Sequence, residues 1–367
     1  MRKTGFAYHE ICMWHDPGPC SVFDQAGGFI QPSVAAENPE TKRRLRNLLE
    51  VSGLLNELVP VSGEPAALED LQRFHTPEYL QGLMEASEAG FGDGGEYAPF
   101  RKDGFEIARK SAGLAIATVE AVLRGEIDNG YCLSRPPGHH AERDRGRGFC
   151  LIGNIPVAIM AAQAKGLVKR VAVIDWDVHH GNGTQQAFYD DGDVLTISLH
   201  HENNYPSNSG SAEERGEGEG FGLNLNIPLH AGSGIGAYEA TLEQLVIPAL
   251  EAFKPELIVV ACGFDAAAMD PLGCMILNST AFATMTRSLM EVADRLCSGK
   301  LVMVHEGGYS EGYVPFCGHA VIETLSDSSI RVPDPLAEDI AVWGQQDLQP
   351  HQQGLLDQLK PLIKDIR

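Results

Sequence analysis

Residues 171–184 read VAVIDWDVHHGNGT, and this stretch decides the fold. Its first part is an unbroken apolar run rich in β-branched residues, which is typical of a strand buried on both faces of a sheet. Its second part places two aspartates and two histidines directly before a glycine-containing turn. In open α/β sheets, ligands bind outside the carboxyl ends of the strands. The stretch therefore predicts a parallel sheet with a functional site where this strand ends.

Short apolar runs alternate with amphipathic segments along the rest of the chain. The predicted strands are residues 130–134, 171–176, 194–200, 223–229, 257–264 and 301–307. The predicted helices are residues 104–125, 156–166, 238–253 and 281–297. This alternation indicates an α/β protein with a central, mostly parallel sheet that helices cover on both faces. Two segments rich in glycine and acidic residues, 85–104 and 205–222, are predicted to be exposed loops, which are often functional when they are this long.

The composition excludes several classes of function. Hydrophobic residues make up 43% of the chain, and 50 acidic against 28 basic residues give a net charge of −22, which opposes nucleic-acid binding. The eight cysteines show no Cys-x-x-Cys pair and predict reduced thiols. The N-terminus lacks a signal-peptide pattern, and no apolar run approaches the ~18 residues of a membrane span. We expect a cytoplasmic protein without nucleic-acid or membrane partners. We also expect residues 1–367 to form one domain, with 331–367 as a C-terminal helical extension.

The acidic and histidine residues after the 171–176 strand predict a metal site. Alternate side chains of an extended segment share a face, so Asp175, Asp177 and His179 are all candidate ligands. A catalytic zinc keeps three protein ligands and leaves one position open. Asp177 and His179 supply two, and Asp265, which follows another predicted strand, is the best candidate for the third. The alternative is that acidic residues at a strand end only cap the next helix.

A tandem histidine pair follows a different predicted strand. His139 and His140 stand behind the turn Pro136-Pro137-Gly138, which is stiff and well defined. Histidine titrates near neutrality and is the commonest general acid or base. Surface histidines without a function are the alternative, but the position at a strand end favours catalysis.

Five motifs occur in a fixed order: RPPGHH (135–140), DWDVHHGNGT (175–184), SLH (198–200), GFDAAAMDPLG (263–273) and EGGY (306–309). Together they resemble the motif set of the histone deacetylase family, and more narrowly its class II branch and the bacterial histone deacetylase-like amidohydrolases. The resemblance covers about residues 1–330. It implies the arginase/deacetylase fold with a central eight-stranded sheet. It also implies one zinc ion per chain, held by Asp177, His179 and Asp265.

The resemblance assigns catalytic roles to the remaining motif residues. His140 would be the general base for the attacking water and then the acid for the leaving amine. His139 would stay largely protonated and act electrostatically, with Asp175 behind it. Asn182 would orient His140, as in triad logic, at a position where class I members carry Asp. Tyr309 would donate its hydroxyl to the oxyanion of the tetrahedral intermediate.

Two monovalent-cation sites, normally filled by potassium, are implied by the resemblance alone. The inner site would use side-chain and backbone oxygens of Asp175, Asp177, His179, Ser198 and Leu199. The outer site would use backbone oxygens of Phe188, Asp191, Val194 and Leu223.

The resemblance also implies an acyl-lysine tunnel. Phe149 and Tyr205 would flank it, since flat aromatic walls suit an extended alkyl chain. Tyr205 stands where Phe is commoner in the family. Gly148 would lie along the same wall, and Gly308 would belong to the substrate-binding residues. Arg44 resembles the arginine beside an acetate-release cavity.

Leu272 bears on the substrate. Family members specialised for acetylpolyamines carry Glu at this position to attract a second amine, so leucine favours acyl-lysine in peptides or small acyl-amides. A plain hydrophobic residue at the rim is the alternative reading, and an acetylpolyamine or other small-metabolite deacetylase stays open. Bacterial relatives often form dimers or tetramers, so we expect a homo-oligomer.

Two functions from other classes are disfavoured by specific residues. A binuclear manganese ureohydrolase of the arginase type shares the expected fold but needs aspartates where Gly181 and Ala267 stand. One metal ion is therefore expected. A non-catalytic acyl-lysine reader or metal-binding module would be expected to have lost a ligand, a histidine or the tyrosine, and all of these are present.

Overall fold

The computed structural model describes residues 2–21 and 23–367. Its central element is an eight-stranded sheet in the order β6-β5-β4-β7-β8-β3-β1-β2. The strands are β1 (Thr4–Ala7), β2 (Val59–Val61), β3 (Asn129–Cys132), β4 (Val171–Asp175), β5 (Val194–His201), β6 (Asn224–Leu229), β7 (Leu257–Cys262) and β8 (Leu301–His305). Each neighbouring pair is parallel. The predicted class and sheet are confirmed, and the six predicted strands are all present.

Helices lie on both faces of this sheet. They are α1 (Glu40–Ser52), α2 (Leu68–Leu71), α3 (Pro77–Ala89), α4 (Gly104–Leu123), α5 (Asn154–Ala164), α6 (Asn182–Ala187), α7 (Ile235–Thr241), α8 (Ile247–Phe253), α9 (Ser279–Cys297), α10 (Val314–Leu325), α11 (Ala337–Ala341) and α12 (Pro350–Leu359). A π-helical segment, Leu242–Val246, joins α7 to α8. Short 3₁₀ turns occupy Glu10–Trp14, Leu54–Glu57, Gly218–Gly220 and Lys360–Asp365.

Three short ladders lie outside the central sheet. They pair Cys20–Ser21 with Asp24–Gln25, Phe91–Asp93 with Pro99–Arg101, and Gly95–Glu96 with Gly146–Arg147.

The apolar run of β4 is explained by burial on both faces. Ala172 and Ile174 belong to one hydrophobic core, which α1, α7, α8, α9, α10 and α12 cover. Val171 and Val173 point to the opposite face and belong to a second core, under α4 and α5. Successive side chains of a strand alternate between faces, so a strand covered on both sides must be apolar at every position.

The predicted loop 85–104 is wrong in its first residues, because 85–89 complete α3. Thr76 caps this helix by accepting a hydrogen bond from the Tyr79 backbone at 3.3 Å, and Pro77 occupies its first turn. Gly90 ends it in the left-handed conformation, with φ of 95°. Loop structure with two short ladders follows, until α4 begins at Gly104.

The C-terminal extension packs on the chain's own core. Ile340, Leu356, Leu359 and Ile366 are buried and belong to the core that α9 and α10 cover. The single-domain organisation stays a prediction. No helix in the described residues has both the length and the apolar character needed to cross a bilayer.

Candidate active site

Neighbouring strands of the sheet deliver the predicted site residues to one edge. The tandem histidines follow β3, Asp177 and His179 follow β4, Asp265 follows β7, and Tyr309 follows β8. These four strands are adjacent in the order β4-β7-β8-β3. Because all of them are parallel, their carboxyl ends lie together, and residues more than a hundred positions apart in the chain become neighbours.

Asp177, His179 and Asp265 form a buried cluster whose ligand atoms all lie within 4.8 Å of one another. His179 Nδ1 is 3.1 Å from Asp177 Oδ1 and 3.1 Å from Asp265 Oδ2. Backbone N–H groups hold the two carboxylates in place. Gly307 donates to Asp177 Oδ2 at 2.8 Å, and Val178 donates to Asp265 Oδ1 at 2.8 Å. Two carboxylate oxygens and one imidazole nitrogen aimed at one point match a zinc site that keeps a position open.

The electrostatics of this cluster also fit a bound cation. Burial, reinforced by the charge of Asp177, raises the pKa of the Asp265 carboxyl well above its usual range. Burial disfavours the charged form of His179, but its hydrogen bonds to Asp177 and Asp265 outweigh this and raise its pKa to about 10. Two buried carboxylates thus crowd around His179, and His139 Nε2 lies 3.8 Å from Asp177 Oδ1. A divalent cation would neutralise both carboxylates, and the residues present therefore fit zinc.

Asp175 lies behind this cluster, beside the histidine pair. Its Oδ2 is 3.0 Å from His139 Nδ1, and its Oδ1 accepts the Asp177 backbone N–H at 3.0 Å. His140 Nδ1 is 2.8 Å from Asn182 Oδ1, and the two imidazole rings are 3.9 Å apart between centroids. The structure therefore gives each histidine the partner that was predicted for it.

The two histidines have opposite pKa shifts. Burial alone would lower the pKa of His139, but the charges of Asp177 and Asp175 outweigh burial and raise it to about 10. Burial lowers the pKa of His140 well below its usual value, and the positive charges of His139 and His179 act in the same direction. At neutral pH the pair consists of one cation and one neutral base, which is the division of roles that acid–base catalysis requires.

A cavity of about 280 Å³ leads to the cluster. Its lining residues are Phe23, Tyr97, His140, Gly148, Phe149, His179, Asn204, Tyr205, Leu272 and Tyr309. The predicted tunnel residues Gly148, Phe149, Tyr205 and Leu272 are thus brought together with a catalytic histidine and the tyrosine. Gly308 is not among the lining residues of the described chain; its φ of 116° shapes the turn that carries Tyr309.

Position 148 requires glycine, because a larger residue would collide with two side chains that line the cavity. A Cβ at this position would lie 2.5 Å from His140 Cδ2 and 2.7 Å from Tyr205 Cε1, and its φ is 49°. The ring of Tyr205 stands perpendicular to that of His140 at 5.0 Å. On the other side, the ring of Phe149 is 5.7 Å from that of Tyr309. A narrow slot between aromatic rings suits an unbranched chain.

Sequence reasoning missed three residues at the cavity mouth: Phe23, Tyr97 and Asn204. The rings of Phe23 and Tyr97 meet edge to face at 5.2 Å. Both residues lie in loops, where an aromatic side chain was the only available signal. Asp270 was also missed; it accepts the Tyr309 backbone N–H at 2.7 Å and so fixes the residue that carries the phenol.

Arg44, which was predicted to lie beside an acetate-release cavity, is partly exposed at the surface of α1. Its side chain is 53% exposed and pairs with Glu40 at 3.5 Å and Glu311 at 3.7 Å. Two residues earlier, Lys42 is buried, lies 3.7 Å from Glu37 and sits 5.8 Å from the centre of the Tyr309 ring. Positions two apart on a helix face roughly opposite directions, so only one of these cations can point inward.

The residues predicted for the two potassium sites fall into two groups. Ser198 is the register partner of Asp175 across β4 and β5, so the inner set lies around the carboxyl end of β4. The outer set lies at the other end of these strands, where Val194 begins β5 and Leu223 precedes β6. Of its carbonyls, that of Leu223 accepts the Thr196 backbone N–H at 2.9 Å, and that of Phe188 accepts the Asp191 backbone N–H at 3.1 Å.

Comparisons with known proteins agree with one another. The family model for the histone deacetylase domain matches residues 35–325. A histone deacetylase-like amidohydrolase of Pseudomonas aeruginosa is 53% identical over 342 residues, covering 92% of this chain and 90% of that protein. Histone deacetylase 8 of Arabidopsis thaliana is 35% identical, covering 93% of this chain and 91% of its own length. The solved structure of the HDA15 HD domain matches with a TM-score of 0.83 at 30% identity, covering 99% of this chain and 96% of that one.

Proposed function

The chain belongs to the histone deacetylase family, has the arginase/deacetylase fold and is a deacetylase, and we propose that it is zinc-dependent and removes acetyl or related short acyl groups from the ε-amine of lysine in peptides, or from analogous acyl-amines. The observation that carries this proposal is that the buried His140, with Asn182 on its Nδ1, lines one cavity together with Tyr309 and with His179 of the three-residue cluster.

Asp177, His179 and Asp265 would hold the zinc. When bound, zinc would supply a Lewis acid that polarises the scissile carbonyl and acidifies a water molecule. The arginase-type alternative needs a further ligand at position 181. A Cβ on Gly181 would lie 2.2 Å from Asp175 Oδ2, so any larger residue there would displace the carboxylate that holds His139. This steric limit supports one metal ion per chain.

His140 is placed to move the proton. Its Nδ1 faces Asn182 at 2.8 Å, which leaves Nε2 free for the reacting water. Because its pKa is low, the ring is unprotonated before the reaction and accepts a proton as the water attacks. The same ring then passes that proton to the leaving amine. His139, charged and held by Asp175, would stabilise the negative charge that develops at the carbonyl oxygen.

Tyr309 would provide the hydrogen bond to that oxygen. Burial raises the pKa of its phenol well above the usual value, with the charges of Asp265 and Asp177 acting in the same direction. The hydroxyl therefore keeps its proton at neutral pH and can donate it. Asp270 fixes the Tyr309 backbone, and its own position is set by the Leu272 N–H at 2.9 Å.

The cavity supports a linear acyl-amine as substrate. Phe149 and Tyr205 both line the cavity, and their aromatic rings suit an extended alkyl chain such as that of acyl-lysine. At the mouth, Leu272 offers no charge to a second amine, which favours acyl-lysine peptides over acetylpolyamines. Arg44 was expected near the route by which acetate leaves, but Lys42 is the buried cation beside Tyr309, and we propose it for that role.

Other parts of the proposal rest on family resemblance. They are a structural potassium ion at each of the two predicted sites, assembly into a dimer or tetramer, and a cytoplasmic location.

Turnover of a substrate panel tests the proposed function. Zinc-loaded enzyme is assayed with acetyl-lysine peptides, trifluoroacetyl-lysine and acetylpolyamines, alongside a His140→Ala variant. We expect turnover of the acyl-lysine substrates, loss of at least about 100-fold in the variant, and loss on chelation that zinc restores. Faster turnover of acetylpolyamines would favour the small-metabolite alternative. Two manganese ions per active chain would refute the zinc proposal.

A further inference from the structure

The side chain of Asn182, which faces the catalytic base, has a second partner on its other side. Its Nδ2 donates to Glu142 Oε1 at 2.8 Å and lies 3.3 Å from the His140 carbonyl oxygen. Its Oδ1 is 2.8 Å from His140 Nδ1. A carboxylate and a carbonyl can only accept hydrogen bonds, so both require the amide NH₂ group to face them. The Asn182 oxygen must then face His140.

This amide orientation decides which nitrogen of His140 carries the proton. An amide oxygen is an acceptor, so the nitrogen opposite it, Nδ1, must be the one that bears hydrogen. Nε2 is then the basic nitrogen, and the catalytic role requires it to be free. Without Glu142, rotating the amide of Asn182 by half a turn would present NH₂ to Nδ1 and favour the wrong tautomer at the modest loss of one weak hydrogen bond to a carbonyl.

Glu142 is itself held by a chain of ion pairs. Arg147 Nη1 donates to the same Glu142 Oε1 at 2.9 Å, and Arg147 Nη2 lies 2.8 Å from Glu96 Oε2. Glu96 also pairs with Arg145 and precedes Tyr97 at the mouth of the cavity. The side chains of Glu142 and Arg147 are 17% and 18% exposed, so water screens this pair only in part.

We propose that Glu142 is a positioning residue for the catalytic base: acting through Asn182, whose NH₂ group it accepts, it fixes the Nδ1–H tautomer of His140. This inference rests on the proposed function of His140. It identifies Glu142 as part of a three-residue relay, His140–Asn182–Glu142, rather than a surface charge. Removing Glu142 should therefore slow the chemical step without weakening substrate binding.

A swap of amide and carboxylate separates this role from simple structural support. Asn182→Asp places a carboxylate against that of Glu142 and should lower kcat at least tenfold, because the two oxygens repel. The double variant Glu142→Gln with Asn182→Asp relieves this repulsion, because the glutamine NH₂ can donate to the aspartate. Arg147 then loses Oε1 as its acceptor but stays paired with Glu96. We expect it to recover at least about tenfold in kcat over Asn182→Asp alone. Glu142→Gln by itself keeps an acceptor for Asn182 and should stay within about threefold of the wild type.

Glu142→Ala removes the acceptor, and we expect kcat to fall by about 10–100-fold with KM unchanged within twofold. The exposed Asp144, two residues away, gives a matched control, and Asp144→Asn should behave as the wild type. Nuclear magnetic resonance of the zinc-loaded enzyme reports the tautomer directly. Long-range proton–nitrogen correlations should show Nδ1–H on His140 in the wild type and a mixture of tautomers in Glu142→Ala.

The outcomes distinguish failure of this inference from failure of the proposed function. If the wild type is inactive, or if His140→Ala keeps full turnover, the proposed function fails first. If His140→Ala is inactive while Glu142→Ala keeps wild-type kcat and a pure Nδ1–H tautomer, Glu142 has no positioning role. A double variant that is no faster than Asn182→Asp would also overturn the inference, and it does so even if Glu142→Ala fails to fold.

Discussion

Replacing Gly307 by alanine should weaken zinc binding while leaving the fold intact. The backbone N–H of Gly307 donates to Asp177 Oδ2, and the residue lies directly against both carboxylates of the metal cluster. A Cβ at this position would be 2.2 Å from Asp265 Oδ2 and 2.6 Å from Asp177 Oδ2. Ordinary contacts begin at 3.4 Å, so the two oxygens would have to retreat by about 1.2 Å and 0.8 Å.

Zinc coordination tolerates only about 0.2 Å of such displacement. We therefore expect the affinity for zinc to fall by at least about 10–100-fold, which corresponds to roughly 1.4–2.8 kcal/mol. The buried carboxylates are repelled by one another in the zinc-free protein, so moving them apart should not lower the stability of that form by a similar amount.

Competition with a chelator of known affinity measures the loss, and elemental analysis gives the zinc content after dialysis. Gly312→Ala is the matched control, because a Cβ on Gly312 meets no atom within 4 Å. It should hold zinc as the wild type does. If Gly307→Ala retains wild-type affinity, the carboxylates of Asp177 and Asp265 are not held where the zinc site needs them, and the assignment of the ligands is refuted.

Three further predictions follow from other parts of the molecule. Tyr309→Phe should lower kcat by about 10²–10³-fold with KM and zinc content unchanged, and full turnover would contradict the oxyanion role. Glu37→Ala leaves the buried cations Arg135 and Lys42 without their carboxylate, so the free energy of unfolding should fall by about 3–5 kcal/mol. Urea unfolding measures this change, and a loss below ~1 kcal/mol would contradict the prediction. Burial lowers the pKa of His75 to about 4, so the unfolded chain binds a proton more readily than the folded one. The free energy of unfolding should therefore be unaffected by this group above pH ~6.5 and should fall by up to about 3 kcal/mol as the pH is lowered to 4. His75→Gln should make unfolding less sensitive to pH over that interval, and an unchanged slope would contradict this.

Six strands of the central sheet were predictable from the sequence, whereas β1 and β2 were not. β2 has three residues, too few to show a period, and β1 is a four-residue strand that begins with a threonine and a glycine. They exist because β1 pairs with both β2 and β3, and the second partner lies more than a hundred residues away. The predicted loop 85–104 was assigned from its glycine and acidic residues. Its first five residues share this composition but complete α3, which ends at Gly90.

The candidate site was predictable in membership and less so in geometry. Spacing made Asp175 and Asp177 equal candidates for the metal. In the fold, Asp265 at the end of β7 lies beside Asp177, whereas His139, after β3, lies beside Asp175. These contacts make Asp177 the candidate ligand and Asp175 the partner of His139. The same holds for Arg44 and Lys42, where the packing of α1 decides which cation is buried.

The sequence by itself determined the α/β class, six strands of the central sheet and the types of residue in the site. Burial on both faces makes a strand apolar along its length, and a site at its end adds polar residues there, so both leave a pattern within a single segment. The structure alone decided which of these residues touch. Asn182 and Glu142 illustrate the difference: they are forty residues apart, and no pattern in either segment predicts that their side chains form a hydrogen bond. Contacts between distant segments depend on the order of strands in the sheet and on how loops pack above it, and no local pattern carries that information.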